Sequence, residues 1–283
     1  MAAKSDHPTA IADGINGRFE GFVADKAVFG AYAEEGIWSP EVLHFFTQML
    51  DRWAAQGQFA TYIDAGANIG LTLIPFVKRS DLTAAYAIEA DPDNAELLRA
   101  NLRHNSVNDK VTVIEGAVYD KATTLSFERA QDNFGDHRIQ GDGAGEMAEA
   151  SRATIRVKAR PIDELINPNT LSGPLLLKSD LQGAEAMLFR GGAKLMTKVD
   201  IALIEYWPYG MARLGEDERA CRTLIEQYFS HGALLWPHDP QADPDWRPLA
   251  DIFAQIDSIF GGGDTELHRT GCLNLALAKE PHE

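Results

Sequence analysis

A chain of 283 residues, 45% of them hydrophobic, can bury one sizeable core and is bounded to one domain with additions. Its formal charge of −16 works against nucleic-acid partners, which are gripped by Lys and Arg neutralising phosphates. No run approaches the roughly 18 consecutive apolar residues of a membrane span, and the opening Met1–Pro8 lacks the apolar stretch of a secretory signal. Cys221 and Cys272 are too few for a disulfide framework, so a cytoplasmic protein with two buried free thiols is expected.

The first dozen residues are polar and expected to fray. Arg18 to Tyr32 reads as short strands or a hairpin, with Gly21, Asp25 and Gly30 as breakers. Ser39-Pro40-Glu41 then starts a helix: Ser39 is placed to cap it, and Pro40 suits the first helical position. Leu43, Phe46, Met49, Leu50 and Trp53 follow at helical spacing.

Next comes a strand, Thr61–Asp64, that ends in Asp64-Ala-Gly66-Ala-Asn68-Ile-Gly70. Glycines there let the backbone turn tightly and approach a ligand. The apolar positions from Ile69 to Lys78 read as the following helix, whose free N–H groups would face that ligand. A second strand, Ala84–Glu89, puts Glu89 where an acidic side chain accepts both hydroxyls of a ribose. A dinucleotide fingerprint would read G-x-G-x-x-G, whereas here the spacing is G-x-x-x-G, with Asn68 between the glycines and Asp64 before them. An acid at that strand tip repels a pyrophosphate and attracts an ammonium or sulfonium group. S-adenosylmethionine (SAM) carries both groups and no phosphate, so SAM is the expected cofactor.

Asp93–His104 continues as a helix and Val111–Ile114 as a strand, an alternation that argues for a parallel sheet with helices on both faces. From Thr124 to Arg160 the pattern breaks into strand-like pieces around the polar stretch Gly141–Glu146, the expected position of a binding loop or lid. Arg156, Lys158 and Arg160 alternate there and should share one solvated strand face. Strand Leu175–Ser179, helix Ala184–Met196 and strand Ile201–Glu205 restore the pattern. A helix over Glu216–His231 and strands Ala233–Trp236 and Cys272–Ala278 close it. Gly261-Gly-Gly-Asp264 lacks the Lys and Ser or Thr of a phosphate loop and reads as a flexible connection.

The chain resembles the FkbM-type methyltransferases, a Rossmann-like SAM-dependent family. The resemblance rests on Tyr62–Gly70, Ala87–Pro92 and Leu177–Glu185, with looser matches at Asn133-Phe-Gly135 and Leu203-Ile-Glu205, and covers half the chain. It implies a Rossmann-like, mostly parallel seven-stranded sheet with helices on both faces. Residues 1–57 would be an N-terminal hairpin and helix covering the cofactor end. Residues 58–283 would be the methyltransferase domain, with an acceptor-binding insertion at about 124–160. The resemblance also implies O-methylation of a small-molecule or glycan hydroxyl. Asp64 and Asp180 would face the methionine end of SAM and Glu89 the ribose, while Gly116 and Ala117 would pack the adenine. Gly66, Asn68, Gly70 and Ala90 would complete the cofactor site. A binding module that has lost transfer activity is the alternative, and an NAD-linked oxidoreductase is disfavoured by Asn68.

Methyl transfer to a hydroxyl needs in-line positioning and gains from a base. Asp132–Arg138 is the best candidate for that work. His137 titrates near neutrality, Asp136 would raise or orient it, and Arg138, Asn133 and Gly135 would hold the acceptor, as would Glu205. The same residues also suit an ordinary polar loop, and Asp180 suits a helix cap. Glu185, Glu205 and Lys178 are alternative proton handlers, and Trp207 follows the Glu205 strand tip. The histidines show no metal-ligand spacing, so no metal is expected.

Overall fold

The computed structural model describes residues 7–142, 151–261 and 271–280. The chain opens with an antiparallel hairpin of β1 (Thr9–Asp13) and β2 (Arg18–Phe22). The fraying expected of the first dozen residues therefore does not extend over Thr9–Asp13, whose hydrogen bonds β2 supplies. Beyond Phe22 the strand expectation fails, because Lys26–Gly30 and Ala31–Glu35 are helical. Asp25 caps this segment rather than merely breaking a strand: its carboxylate accepts the backbone N–H groups of Val28 (3.1 Å) and Phe29 (3.0 Å).

Helix Pro40–Ala55 has Pro40 in its first turn as expected, but Ser39 makes no side-chain cap. Its φ of +48° is left-handed, outside the extended conformation that aims a capping oxygen at the helix. The Ser39 carbonyl instead accepts from Val42 and Leu43. The helix buries Phe45, Phe46, Met49, Leu50 and Trp53. Phe46 meets both Tyr62 and Phe76 edge-on at 5.5 Å between ring centroids, fixing the helix on the sheet.

The sheet then begins with β3 (Ala60–Ala65), β4 (Leu82–Glu89) and β5 (Val111–Glu115). Short strand β6 (Ala117–Val118) leads into β7 (Thr123–Arg129), β8 (Arg138–Ile139) and β9 (Ala153–Arg160). The main sheet resumes with β10 (Leu175–Ser179), β11 (Ile201–Tyr206), β12 (His231–Leu235), β13 (Arg247–Pro248) and β14 (Leu273–Ala278). Its order is β13-β12-β14-β11-β10-β3-β4-β5. The expected mostly parallel seven-stranded sheet is thus an eight-stranded mixed one. From β5 to β11 every pairing is parallel, and β14, lying between β11 and β12, is antiparallel to both. The two-residue edge strand β13 carries no alternating pattern from which it could be read.

The insertion forms its own four-stranded sheet, β6-β9-β7-β8. Leu125 pairs with Val157 and Phe127 with Ile155, so the two strand-like pieces expected there meet each other. Arg156, Lys158 and Arg160 share the exposed face, and Val157 and Ala159 point inward. The polar stretch beyond Asp142 and the glycine connection beyond Gly261 lie outside the described residues.

Three helices differ from expectation. Ile69–Lys78 is a series of turns with a helix only at Ile74–Val77. Pro75 lacks an N–H, so it fits the first turn of a helix beginning at Ile74 but not the interior of one beginning at Ile69. Ala184–Met196 breaks at Gly191-Gly192 into Glu185–Gly191 and Ala193–Met196. Glu216–His231 shortens to Glu218–Glu226, capped by Asp217, because His231 already belongs to β12. Helix Pro92–His104 matches closely, capped by Asp91, which accepts from Asp93 and Asn94. Leu249–Phe260 is a further helix, burying Leu249, Ile252, Phe253 and Ile256.

Phe46→Ala should lose both ring contacts and leave a cavity, costing about 3–5 kcal/mol of stability. Urea unfolding followed by tryptophan fluorescence checks this; a loss below about 1 kcal/mol would mean the helix is held elsewhere.

Candidate functional site

The strand order reverses at β3: the chain runs outward through β4 and β5, then returns as β10 on the other side of β3. Ligands of open α/β sheets bind at the carboxyl ends of strands beside such a switch. A cavity of about 420 Å³ lies there, within the size range of small-molecule sites.

Asp64 ends up behind this cavity rather than in its wall. The parallel register sets Lys178 of β10 beside Asp64 of β3. Lys178 Nζ lies 3.3 Å from Asp64 Oδ1, and the Thr72 hydroxyl donates to Oδ2 at 3.2 Å. Burial raises the pKa of Asp64, against the opposing pull of Lys178 and Thr72. Asp64 therefore acts through Lys178 and does not present a bare carboxylate to an ammonium group, as the sequence reading expected. Lys178 does line the cavity, with Asp180 Oδ2 at 3.6 Å. Burial alone would lower its pKa; Asp64, Asp180 and Glu205 together reverse that and hold it raised.

The glycine turn is built tightly. Gly66 has φ +83°, and a Cβ there would sit 2.0 Å from the Asp180 carbonyl oxygen. The glycine is therefore required by the close approach of the two loop backbones, as well as lining the cavity. Gly70 does not line the cavity; a Cβ there would meet Leu98 at 2.7 Å, so it serves the packing of helix Pro92–His104. Asn68 is left-handed at φ +49° and its Oδ1 accepts from the Ile69 N–H at 2.6 Å, a local bond that helps Asn tolerate this conformation. Several N–H groups of this turn are already bonded: Gly66 and Ala67 donate to the Ile88 carbonyl, and Gly70 to the Ala67 carbonyl.

Glu89 ends β4 in the cavity wall, 6% exposed. Its Oε2 accepts the Asn68 N–H at 2.7 Å and its Oε1 the Asp91 N–H at 2.8 Å. Burial pushes its pKa up to about 8, although the Asp91 amide opposes this. Asn68, Ala90, Gly116 and Ala117 line the same end. Trp38, Ser39 and Val42 close one side from the N-terminal extension, while Phe127, Asn133, Gly135, His137 and Ile139 close another from the insertion.

His137 lines the cavity, but its chemistry differs from the expected base. Its Nδ1 accepts the Ala130 N–H at 3.1 Å, so the neutral ring carries its proton on Nε2 and is a donor there. Burial, aided by Arg129 and Arg152, pushes its pKa down to about 3. Asp136 does not orient it, because that carboxylate pairs with Arg138 at 2.8 Å and with Arg152. Arg138 does not line the cavity and so does not reach an acceptor as expected. It is buried over the Trp207 ring at 5.4 Å and pairs with Glu128 as well as Asp136.

Asp180 and Glu205 line the far end, and Gln182, absent from the sequence reading, joins them. Gln182 Nε2 donates to Asp180 Oδ1 at 2.8 Å and to Glu205 Oε2 at 3.0 Å. Its φ of +55° is left-handed, and no sequence signal marks that strain. Asp180 does not cap the next helix, where the N-cap residue Ala184 makes no side-chain bond. Instead Glu185, fully buried behind the wall, accepts the Leu181 N–H at 2.8 Å, and burial raises its pKa to about 8. Cys221 is buried as expected, whereas Cys272 is exposed as a residue, although its thiol bonds Glu205. Among the described residues no group of three or more His, Cys, Asp or Glu is placed to hold a metal ion, and no helix is long and apolar enough to cross a membrane.

The low pKa of His137 has a sign that can be tested. Between pH 6.5 and about 3 the unfolded chain takes up a proton at this position that the folded chain refuses, so acid costs stability through that window. His137→Gln should flatten that part of the stability–pH curve, and NMR of the imidazole should show an Nε2–H tautomer that does not titrate between pH 5 and 8. A titration near 6.5 would restore His137 as a base.

A family model described as the methyltransferase FkbM domain matches residues 64–235, from the Asp64 strand tip to the end of β12. No curated protein matches the chain. Among solved structures, methyltransferase FkbM from Methylobacillus flagellatus KT is 16% identical with a TM-score of 0.46, covering 78% of this chain and 44% of its own. Precorrin-6y C5,15-methyltransferase from Geobacter metallireducens GS-15 is 9% identical with a TM-score of 0.36, covering 78% of this chain and 82% of its own. This chain thus spans less than half the length of the Methylobacillus protein. Because the matched segment takes in well over half of the 283 residues, the chain belongs to the FkbM methyltransferase family.

Proposed function

We propose that the protein transfers a methyl group from SAM to an oxygen of a small-molecule or glycan acceptor. The observation that carries the SAM reading is Glu89, held in the cavity wall by two backbone N–H groups at the tip of β4. Those bonds fix the carboxylate and leave lone pairs for the two hydroxyls of a ribose. Gly116 and Ala117 beside it leave room for a flat base. Across the cavity Asp180 and Glu205 outnumber Lys178, whose charge is already shared with Asp64. Acidic groups that a cation would ionise or pair with suit a cationic cofactor better than a pyrophosphate, which supports SAM over NAD.

When bound, SAM supplies a methyl group on a sulfonium that is already a good leaving group. The chain's part is to orient and to exclude water. The N-terminal extension closes one side through Trp38 and Val42, and Glu41 beside Val42 accepts from the Asn274 side-chain amide at 3.2 Å. The insertion, residues about 124–160, contributes Phe127, Asn133 and Ile139 to the wall, with the Phe134 carbonyl accepting from the Asn68 side-chain amide at 3.3 Å, and His137 offers an Nε2–H donor rather than a base. Oxygen as the accepting atom rests on the resemblance to the FkbM family.

Glu89→Ala should weaken SAM binding by about 1.5–3 kcal/mol, the range for hydrogen bonds to a charged group. Calorimetry with SAM, S-adenosylhomocysteine and NAD checks both the residue and the cofactor. NAD binding more tightly than SAM, or unchanged SAM affinity in a folded Glu89→Ala variant, would overturn this reading.

A further inference from the structure

We propose that Glu205 is the group that takes the proton from the methyl acceptor, with Gln182 as the positioning residue that holds it beside Asp180. This rests on the SAM reading above and adds to it the base that His137 does not provide.

Glu205 stands at the carboxyl end of β11, three strands from Glu89 on β4. At about 4.8 Å per strand the strands that carry them are roughly 14 Å apart across the sheet, so Glu205 stands on a different part of the cavity wall from Glu89. Trp207 and Asn274 line the wall around it. The Gln182 amide fixes the Glu205 carboxylate through Oε2, with Asp180 on its other side. A left-handed, non-glycine residue making that bridge is strain kept at a site where its geometry is used.

The groups facing Glu205 are Asp180 and Lys178 from β10 and its loop, Glu185 from the next helix, Asp136 from the insertion, and the Cys272 thiol before β14. Removal from water, with Asp180 and Glu185 adding to it, holds the Glu205 carboxyl well above the carboxylate range. Lys178 is the one cation among these neighbours, and Asp64 shares it. A positive charge arriving in the cavity therefore favours the Glu205 carboxylate, which makes the base available only when the methyl donor is present. In the transfer the acceptor O–H proton passes to a Glu205 oxygen and the acceptor oxygen's lone pair forms the C–O bond. The C–S bond breaks, and its electron pair stays on sulfur.

The test counts protons and needs no acceptor. SAM and S-adenosylhomocysteine share the ribose and the amino-acid end and differ by the sulfonium charge and its methyl. Calorimetry at pH 7 in buffers of different ionisation enthalpy should show SAM releasing up to about one proton more than S-adenosylhomocysteine. In Glu205→Gln that difference should vanish while both ligands still bind. In Gln182→Ala, which loses a donor favouring the carboxylate, the pH at which the SAM complex ionises should move upward. Thermal melts confirm that each variant is folded. Equal proton release by the two ligands in the wild type, or a difference that survives in Glu205→Gln, would overturn the assignment. Failure of both ligands to bind the wild type would instead remove the SAM reading on which it rests.

Discussion

The pairing of Lys178 with Asp64 at the centre of the sheet is the constraint on which the site depends. Asp64 and Lys178 stand 114 residues apart in the chain, yet β3 and β10 lie side by side in parallel register. A buried carboxylate without its cation, or the reverse, is strongly destabilising, so the pair holds these strands to one register. With that register fixed, Ala65 accepts the Asp180 N–H at 2.9 Å and Gly66 comes close enough to the Asp180 carbonyl to exclude a Cβ. The two loops that flank the cavity are in this way locked to each other before any ligand is considered.

Electrostatics follows from the same pair. Asp64 takes part of the Lys178 charge, while Glu89, Asp180 and Glu205 all line the cavity. Burial is the main cause of the raised pKa values of Glu89 and Glu205, and neighbouring carboxyl groups add to it. Both ends of the cavity are therefore poised to gain from a cation, in a chain whose overall charge is −16.

The proposed nucleoside end rests on signals legible in the sequence, because glycine spacing and a strand-tip acid are backbone signals that need no knowledge of burial. Glu89, Gly66 and Asn68 stand together in the cavity for that reason. Asp64, Gly70 and Arg138 were misjudged through burial: nothing in the order of residues says that Lys178 would stand in front of Asp64 or that Trp207 would cover Arg138. Hydrophobic spacing alone overextends the helix after the turn, because it carries no information about the N–H that Pro75 lacks. His137 was misassigned because a base is decided by which ring nitrogen is free, and the Ala130 amide that occupies Nδ1 is a tertiary neighbour. Gln182 left no trace, since a side-chain amide bridging two carboxylates looks in sequence like any residue of an Asp-Leu-Gln-Gly turn.

The insertion is held by a second ionic system of the opposite kind. Glu128 on β7 pairs with Arg138 on β8 and, at 3.1 Å, with Arg213 at the end of the helix that follows β11. Asp136 adds Arg138 and Arg152 to the same chain of charges. Replacing such a network with apolar residues can leave a fold equally stable, but an apolar contact would not specify which carboxylate meets which guanidinium. Here the directional bonds tie the inserted sheet to the element that follows Glu205, so the wall carrying Asn133 and His137 is set relative to the wall carrying Glu205 and Gln182. The cavity end around Glu89 is built from the glycine turn after β3, the tip of β4 and the Gly116-Ala117 step, whereas the end around Glu205 depends on side-chain pairs between distant segments. That division explains why the first end could be read from short local motifs and the second could not.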